Sequence, residues 1–154
     1  MELIGILFKL PMPPTANKQL MPVRGRLIKT NAARVFDKQI AFYRLSQFRK
    51  LETLKLQMSA LLQKEKCLFS VHYYFCFPKD RLISKKNEIK MLDSTNRLKS
   101  TEDALSKLIE IDDKYFNQNR VEKVISSTEK EFVHIAIYKI NHLEDDQKVF
   151  NIAP

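Results

Sequence analysis

Residues 2–10 are almost wholly apolar, and Ile4, Ile6, Phe8 and Leu10 share one side of an extended segment, which predicts a first strand. The next twenty residues, PMPPTANKQLMPVRGRLIKT, hold four prolines and an R-G-R triplet, and they predict a long loop with a short hairpin around Gly25. From about Asn31 to Lys66 the apolar spacing turns helical, through Val35, Ile40, Tyr43, Leu45, Phe48, Leu51, Leu54, Met58, Leu61 and Leu62. No Gly or Pro interrupts that helix, although the pattern allows a break near 49–52. Residues 67–77 alternate, with Phe69, Val71, Tyr73, Phe75 and Phe77 on one face, and the run ends at Pro78, as a strand would.

Residues 79–92 predict a basic loop, and a second helix follows over 94–110, capped by Asp93 or Ser94, with Leu98, Leu105, Leu108 and Ile109 as its apolar stripe. Residues 120–127 and 132–140 predict an antiparallel pair joined near 128–130. The order β–loop–α–β–α–β–β describes an α+β domain: a mostly antiparallel sheet packed against two main helices. It spans residues 1–140 and leaves a polar, mildly acidic tail over 141–154.

Composition narrows the class. A chain of 154 residues that is 44% apolar and 10% aromatic suits one globular domain and excludes a disordered one. Two glycines, with neither GxGxxG nor GxxxxGK[ST], exclude a nucleotide cofactor bound in those ways. No apolar run approaches the ~18 residues of a membrane span, and the first ten residues lack the basic start and small-residue cleavage site of a signal peptide. Cys67 and Cys76 lie nine apart in one strand, hence on opposite faces, and are expected as reduced thiols in a cytoplasmic protein. Three scattered histidines and no CxxC argue against zinc. His72 and His134 fall in strands and read as structural.

The charge is segregated. The formal net charge is +9, and residues 18–50 alone carry nine basic side chains against Asp37, a net +8. A second stretch, 79–99, carries +4. Such a pattern fits a polyanionic partner, nucleic acid above all.

Within this basic chain lies an acidic constellation, D-S-T-N-R-L-K-S-T-E-D-A-L-S-K-L-I-E-I-D-D from Asp93 to Asp113. On a helix, Asn96, Lys99 and Asp103 fall on one face, Asp93 stands at its N-terminal end, and a further acidic pair follows the helix. Carboxylates that hold Mg²⁺ and a lysine that steadies a phosphate oxygen are the parts of a phosphodiester nuclease. The same residues also suit a helix cap, an exposed Lys–Asp pair and two turn aspartates.

Three blocks resemble the RusA family of Holliday junction resolvases. The first strand running into LPMPPTANK is similar to the family's strand followed by L-P-x-P-P-S/T-x-N. The R-G-R at 24–26 and the helix after it resemble its basic region, and D-S-T-N-R-L-K-S-T-E-D-A-L followed by I-D-D resembles its D-x-D-N-x-x-K-x-x-x-D-x-L and later D-D. The resemblance implies a small, dimeric, Mg²⁺-dependent endonuclease (Mn²⁺ as a substitute) of bacteria or their phages. It would resolve four-way junctions by paired symmetric nicks during DNA recombination and repair, in the nucleoid-associated cytoplasm, with no membrane and no nucleotide cofactor involved.

The resemblance casts Asp93, Lys99 and Asp113 as catalytic, with Asp93 and either Asp113 or Asp112 on the metal. Thr95, Asn96 and Asp103 support them, and Asn17, Lys18, Arg24, Arg26, Lys29 and Arg97 face DNA. The neutral Thr95 stands where the family carries a second aspartate. Either Thr95 holds a metal-bound water while Asp103, Asp112 or Asp113 completes the set, or the protein binds branched DNA with impaired cleavage. A non-enzymatic basic module that binds an acidic partner is the remaining reading of the charge.

Overall fold

A computed structural model describes residues 1–65, 67–90 and 95–140, without the side chain of Thr95. Asp93 and the tail 141–154 therefore lie outside the described residues. Among the described residues, six strands and four helices follow in the order β1 (Glu2–Pro11), β2 (Leu20–Val23), β3 (Arg26–Lys29), α1 (Asn31–Ser46), α2 (Phe48–Glu65), β4 (Leu68–Phe77), α3 (Lys79–Leu82), α4 (Thr95–Ile109), β5 (Phe116–Ile125) and β6 (Phe132–Ile140). They make an α+β domain with a main sheet in the order β1-β6-β4-β5 and a separate β2–β3 hairpin.

The alternating face of β4 is the centre of the core. Phe69, Val71, Tyr73, Phe75 and Phe77 have no solvent exposure, and Leu51, Leu54 and Met58 of α2 and Leu105, Leu108 and Ile109 of α4 complete the same cluster. The other face of β4 carries Ser70, His72 and Cys76, also buried. Both cysteines are free.

Four expectations from the sequence are corrected. The pair at 120–127 and 132–140 is not a hairpin: β6 pairs antiparallel with β4 and β1, whereas β5 pairs parallel with the opposite edge of β4. The reason is burial. β4 is buried on both sides and takes the inner position, while β5, with Arg120, Glu122 and Lys123, has the polar make-up of an edge. In β1 the expected stripe is broken by a bulge between Leu7 and Leu10 with Lys9 at φ 54°, so that Leu7 and Leu10 are buried and Phe8 is exposed. The 31–66 helix breaks at Gln47, earlier than expected, where a polar residue interrupts the line of Phe36, Ile40, Tyr43, Leu51, Leu54 and Met58. The 79–92 stretch holds the short α3 and an isolated bridge between Ile83 and Ile89.

The expected hairpin forms. Arg24 and Gly25 both have positive φ, 48° and 76°, as a two-residue turn of the type favoured between twisted strands requires. Thr30 fixes its base: its hydroxyl accepts from Ala33 N–H at the start of α1 and donates to the carbonyl of Lys18. Gln19 reaches from the same base to Ser100 of α4, which ties the hairpin to that helix.

Leu105 of α4 is buried in the core cluster with β4 and has no exposure, so Leu105→Ala should lower unfolding free energy by about 2–5 kcal/mol with an unchanged denaturant slope in urea titrations.

Candidate active site

α4 is amphipathic. Thr101, Ala104, Leu105, Leu108 and Ile109 face the core, which leaves Asn96, Lys99 and Asp103 outside. The helix ends at Ile109, Glu110 takes a positive φ of 53°, and the buried Ile111 pins the chain back to the core. Arg44 and Lys55 both hold the Glu110 carboxylate, which fixes this helix end against α1 and α2. The chain then enters a 3₁₀ turn, Asp113–Tyr115, just before β5.

This path delivers Asp113 to the exposed face of α4. Lys99 Nζ donates to Asp113 Oδ2 at 2.8 Å and lies 3.1 Å from Asp103 Oδ1 and 3.9 Å from Glu102 Oε2. The hydrogen bond to Asp113, and next that to Asp103, raise the Lys99 pKa well above its ordinary value. Lys99 is 69% exposed, so the cluster faces solvent.

The neighbouring aspartates divide their work. Asp112 caps the 3₁₀ turn, accepting from Lys114 N–H at 3.0 Å, and also pairs with Lys114 Nζ at 3.2 Å. Those contacts, the backbone hydrogen bond first, hold its carboxyl below the usual range. Asp113 is the one that meets Lys99. Glu102 joins them without having been marked by the sequence pattern; its only signal was the i, i+3 spacing from Lys99. Its Oε1 accepts from Asn119 Nδ2 of β5 at 2.7 Å.

The expected DNA-facing residues fall into two groups. Asn17 and Lys18 lie in a 3₁₀ turn, Arg24 and Arg26 at the hairpin tip, and all four are exposed. Lys29 pairs with Asp37 of α1. Arg97 instead donates to the carbonyl of Pro13 and lies over the Phe77 ring, 5.9 Å to its centroid, and so links α4 to the proline loop. Between hairpin base, α1 and α4 runs a groove of about 500 Å³ whose lining includes Lys29, Arg44, Asp103 and Lys107. His134 Nδ1 accepts from Lys9 N–H, His72 meets Ser70, and burial lowers the pKa of both rings.

The acidic side chains around Lys99 offer only carboxylate oxygens, the donors that hard divalent cations such as Mg²⁺ take, and none of the Cys or His donors that dominate zinc sites. Among the described residues no three His, Cys, Asp or Glu form a ready-made metal cage. The donor chemistry of Asp113 and its carboxylate neighbours suits such a cation.

Asp113→Asn should bring the Lys99 titration back toward 10.5, whereas the native midpoint should lie above it, as read by NMR of the lysine side chain. The sign follows from the ion pair: carboxylate partners favour the ammonium, so its stabilising share is complete below the ordinary lysine value and fades only above it.

No curated protein matches the sequence. Residues 11–138 match the family described as endodeoxyribonuclease RusA.

Proposed function

That match, over most of the chain, makes the protein a member of the RusA endodeoxyribonuclease family, and on this premise we propose that it is a Mg²⁺-dependent nuclease that resolves four-way DNA junctions by paired symmetric nicks. Mn²⁺ would substitute. The process served is DNA recombination and repair, in the cytoplasm, on the nucleoid. The observation that carries the reading is the Lys99 cluster, in which one ammonium is gripped by carboxylates from α4 and from the turn before β5.

Each residue has a distinct task. Asp113 and Asp93 would hold the cation, which when bound supplies a water of lowered pKa and neutralises charge on the phosphate. Lys99 stays cationic at every working pH and presents its charge to a phosphate oxygen as negative charge builds on it. Asp103 keeps Lys99 on the outer face of α4. Asn17, Lys18, Arg24 and Arg26 meet the backbone of a junction arm, reading branched shape rather than base edges. Two cuts related by a two-fold axis require two such sites, hence a homodimer.

A labelled four-way junction incubated with the protein and Mg²⁺ should yield two symmetric nicks. Asp93→Asn and Asp113→Asn should abolish cleavage while junction binding stays intact or tightens slightly, because each removes a negative charge near the phosphate. Lys99→Ala should slow cleavage by about 10²–10³-fold. If about six phosphates are neutralised, junction affinity should fall about a thousandfold between 50 and 200 mM salt. Intact junctions with both Mg²⁺ and Mn²⁺ would refute the enzymatic reading, and a flat salt response would refute the phosphate footprint.

A further inference from the structure

Under the Lys99 cluster lies a hydroxyl that the mechanism above does not use. Tyr73 stands on the helix-facing side of β4, opposite Val121 of β5, and is wholly buried. Its phenol oxygen has no hydrogen-bond partner among the described residues, a state in which few buried polar groups are left. Burial first, and then the charges of Glu102 and Asp113, drive its pKa far up. It is therefore a donor at every working pH, set in the field of those two carboxylates.

Glu102 is the carboxylate best placed to meet it. Its side chain is 14% exposed, against 40% for Asp113 and 49% for Asp103. Asn119 fixes one of its oxygens, while the other faces Lys99 at 3.9 Å, beyond hydrogen-bond range. A carboxylate that is drawn inward, fixed at one oxygen and set beside an unpartnered donor is arranged to present its other oxygen in one direction. A stabilising surface ion pair has no need of that arrangement.

We infer that Glu102 is a ligand of the divalent cation, acting with Asp113, and that Tyr73 and Asn119 are its positioning residues. This rests on the metal-dependent reading above and extends its ligand set to a residue that the motif spacing does not mark. Without the cation the Tyr73 hydroxyl is unpartnered among the described residues; with the cation bound to Glu102 it would donate to that carboxylate and so select the oxygen that faces the metal, as the outer partners of metal-bound carboxylates do.

The test is calorimetric titration of the full-length protein with Mg²⁺ and with Mn²⁺, without DNA. Glu102→Gln should weaken binding about tenfold or more, and its melting temperature should stay near that of the parent because the amide oxygen still accepts from Asn119. Glu129→Gln, in the turn before β6, should bind like the parent. Tyr73→Phe should weaken cation binding about three- to tenfold and raise the melting temperature by about 3–5 °C, since it removes a buried donor without a partner. Unchanged cation binding in Glu102→Gln would overturn the assignment. A lower melting temperature in Tyr73→Phe would show that its hydroxyl serves the fold and would overturn its positioning role. A parent protein that cleaves junctions, beside an unaffected Glu102→Gln, defeats this inference alone; a parent that neither binds Mg²⁺ nor cleaves defeats the proposed function with it.

Discussion

A strand buried on both of its faces belongs in the interior of a sheet, and β4, with Phe69 to Phe77 on one side and Ser70, His72 and Cys76 on the other, is that strand. β6 takes one edge of it antiparallel, and the other edge is left for a strand arriving from the same end. A parallel neighbour needs a crossover that passes over the face of the sheet, and α4 is that crossover. Its apolar stripe has to settle on Tyr73, Phe75 and their neighbours, which turns Lys99 and Asp103 outward. The return into β5 has to begin beside the same helix, so the turn bearing Asp113 arrives within reach of Lys99. The site is thus a consequence of sheet order: a hairpin between β5 and β6 would have left no parallel strand to lead Asp113 back beside α4.

Stability does not explain the cluster. Lys99, Asp103 and Asp113 are each substantially exposed, and ion pairs in such settings contribute between zero and about 1 kcal/mol. The core would hold without them. Glu110 makes a useful contrast, since Arg44 and Lys55 both close on it and join three helices, although it too is exposed and its pairs are worth little singly. What these contacts supply is position. One set fixes the end of α4, and the other holds a cation-like charge among oxygens.

Local periodicity made much of this legible in the sequence. The stripe of β4, the apolar face of α4 and the R-G-R hairpin stand where their spacing and turn chemistry place them, because each depends on neighbours within a few residues. Lys99, Asp103 and Asp113 were visible for the same reason, as a helical face followed by a short turn. The partner of β5 was not visible, since a short polar linker between two alternating segments reads as a hairpin and only burial of β4 forbids it. The bulge at Lys9 was hidden too: an apolar run keeps its composition whichever residues face inward. Glu102 escaped for a third reason. What distinguishes it is a contact from Asn119 on β5, which no spacing along α4 encodes.

In the proposed function, the opposed charges of the molecule divide the labour of binding and cutting. The net +8 of residues 18–50 draws a polyanion toward α1 and the hairpin, and the contact between Gln19 and Ser100 fixes that hairpin beside α4. On the outer face of α4, Glu102, Asp103 and Asp113 outnumber Lys99, so the last few ångströms of a phosphate's approach run against like charge. Bound there as proposed, a divalent cation would cancel that excess of negative charge without altering the basic surface around it. Recognition and chemistry therefore answer to different variables. On the proposed function, salt would weaken the first by competing for phosphates, while metal would govern the second by neutralising the cluster that the scissile group has to approach.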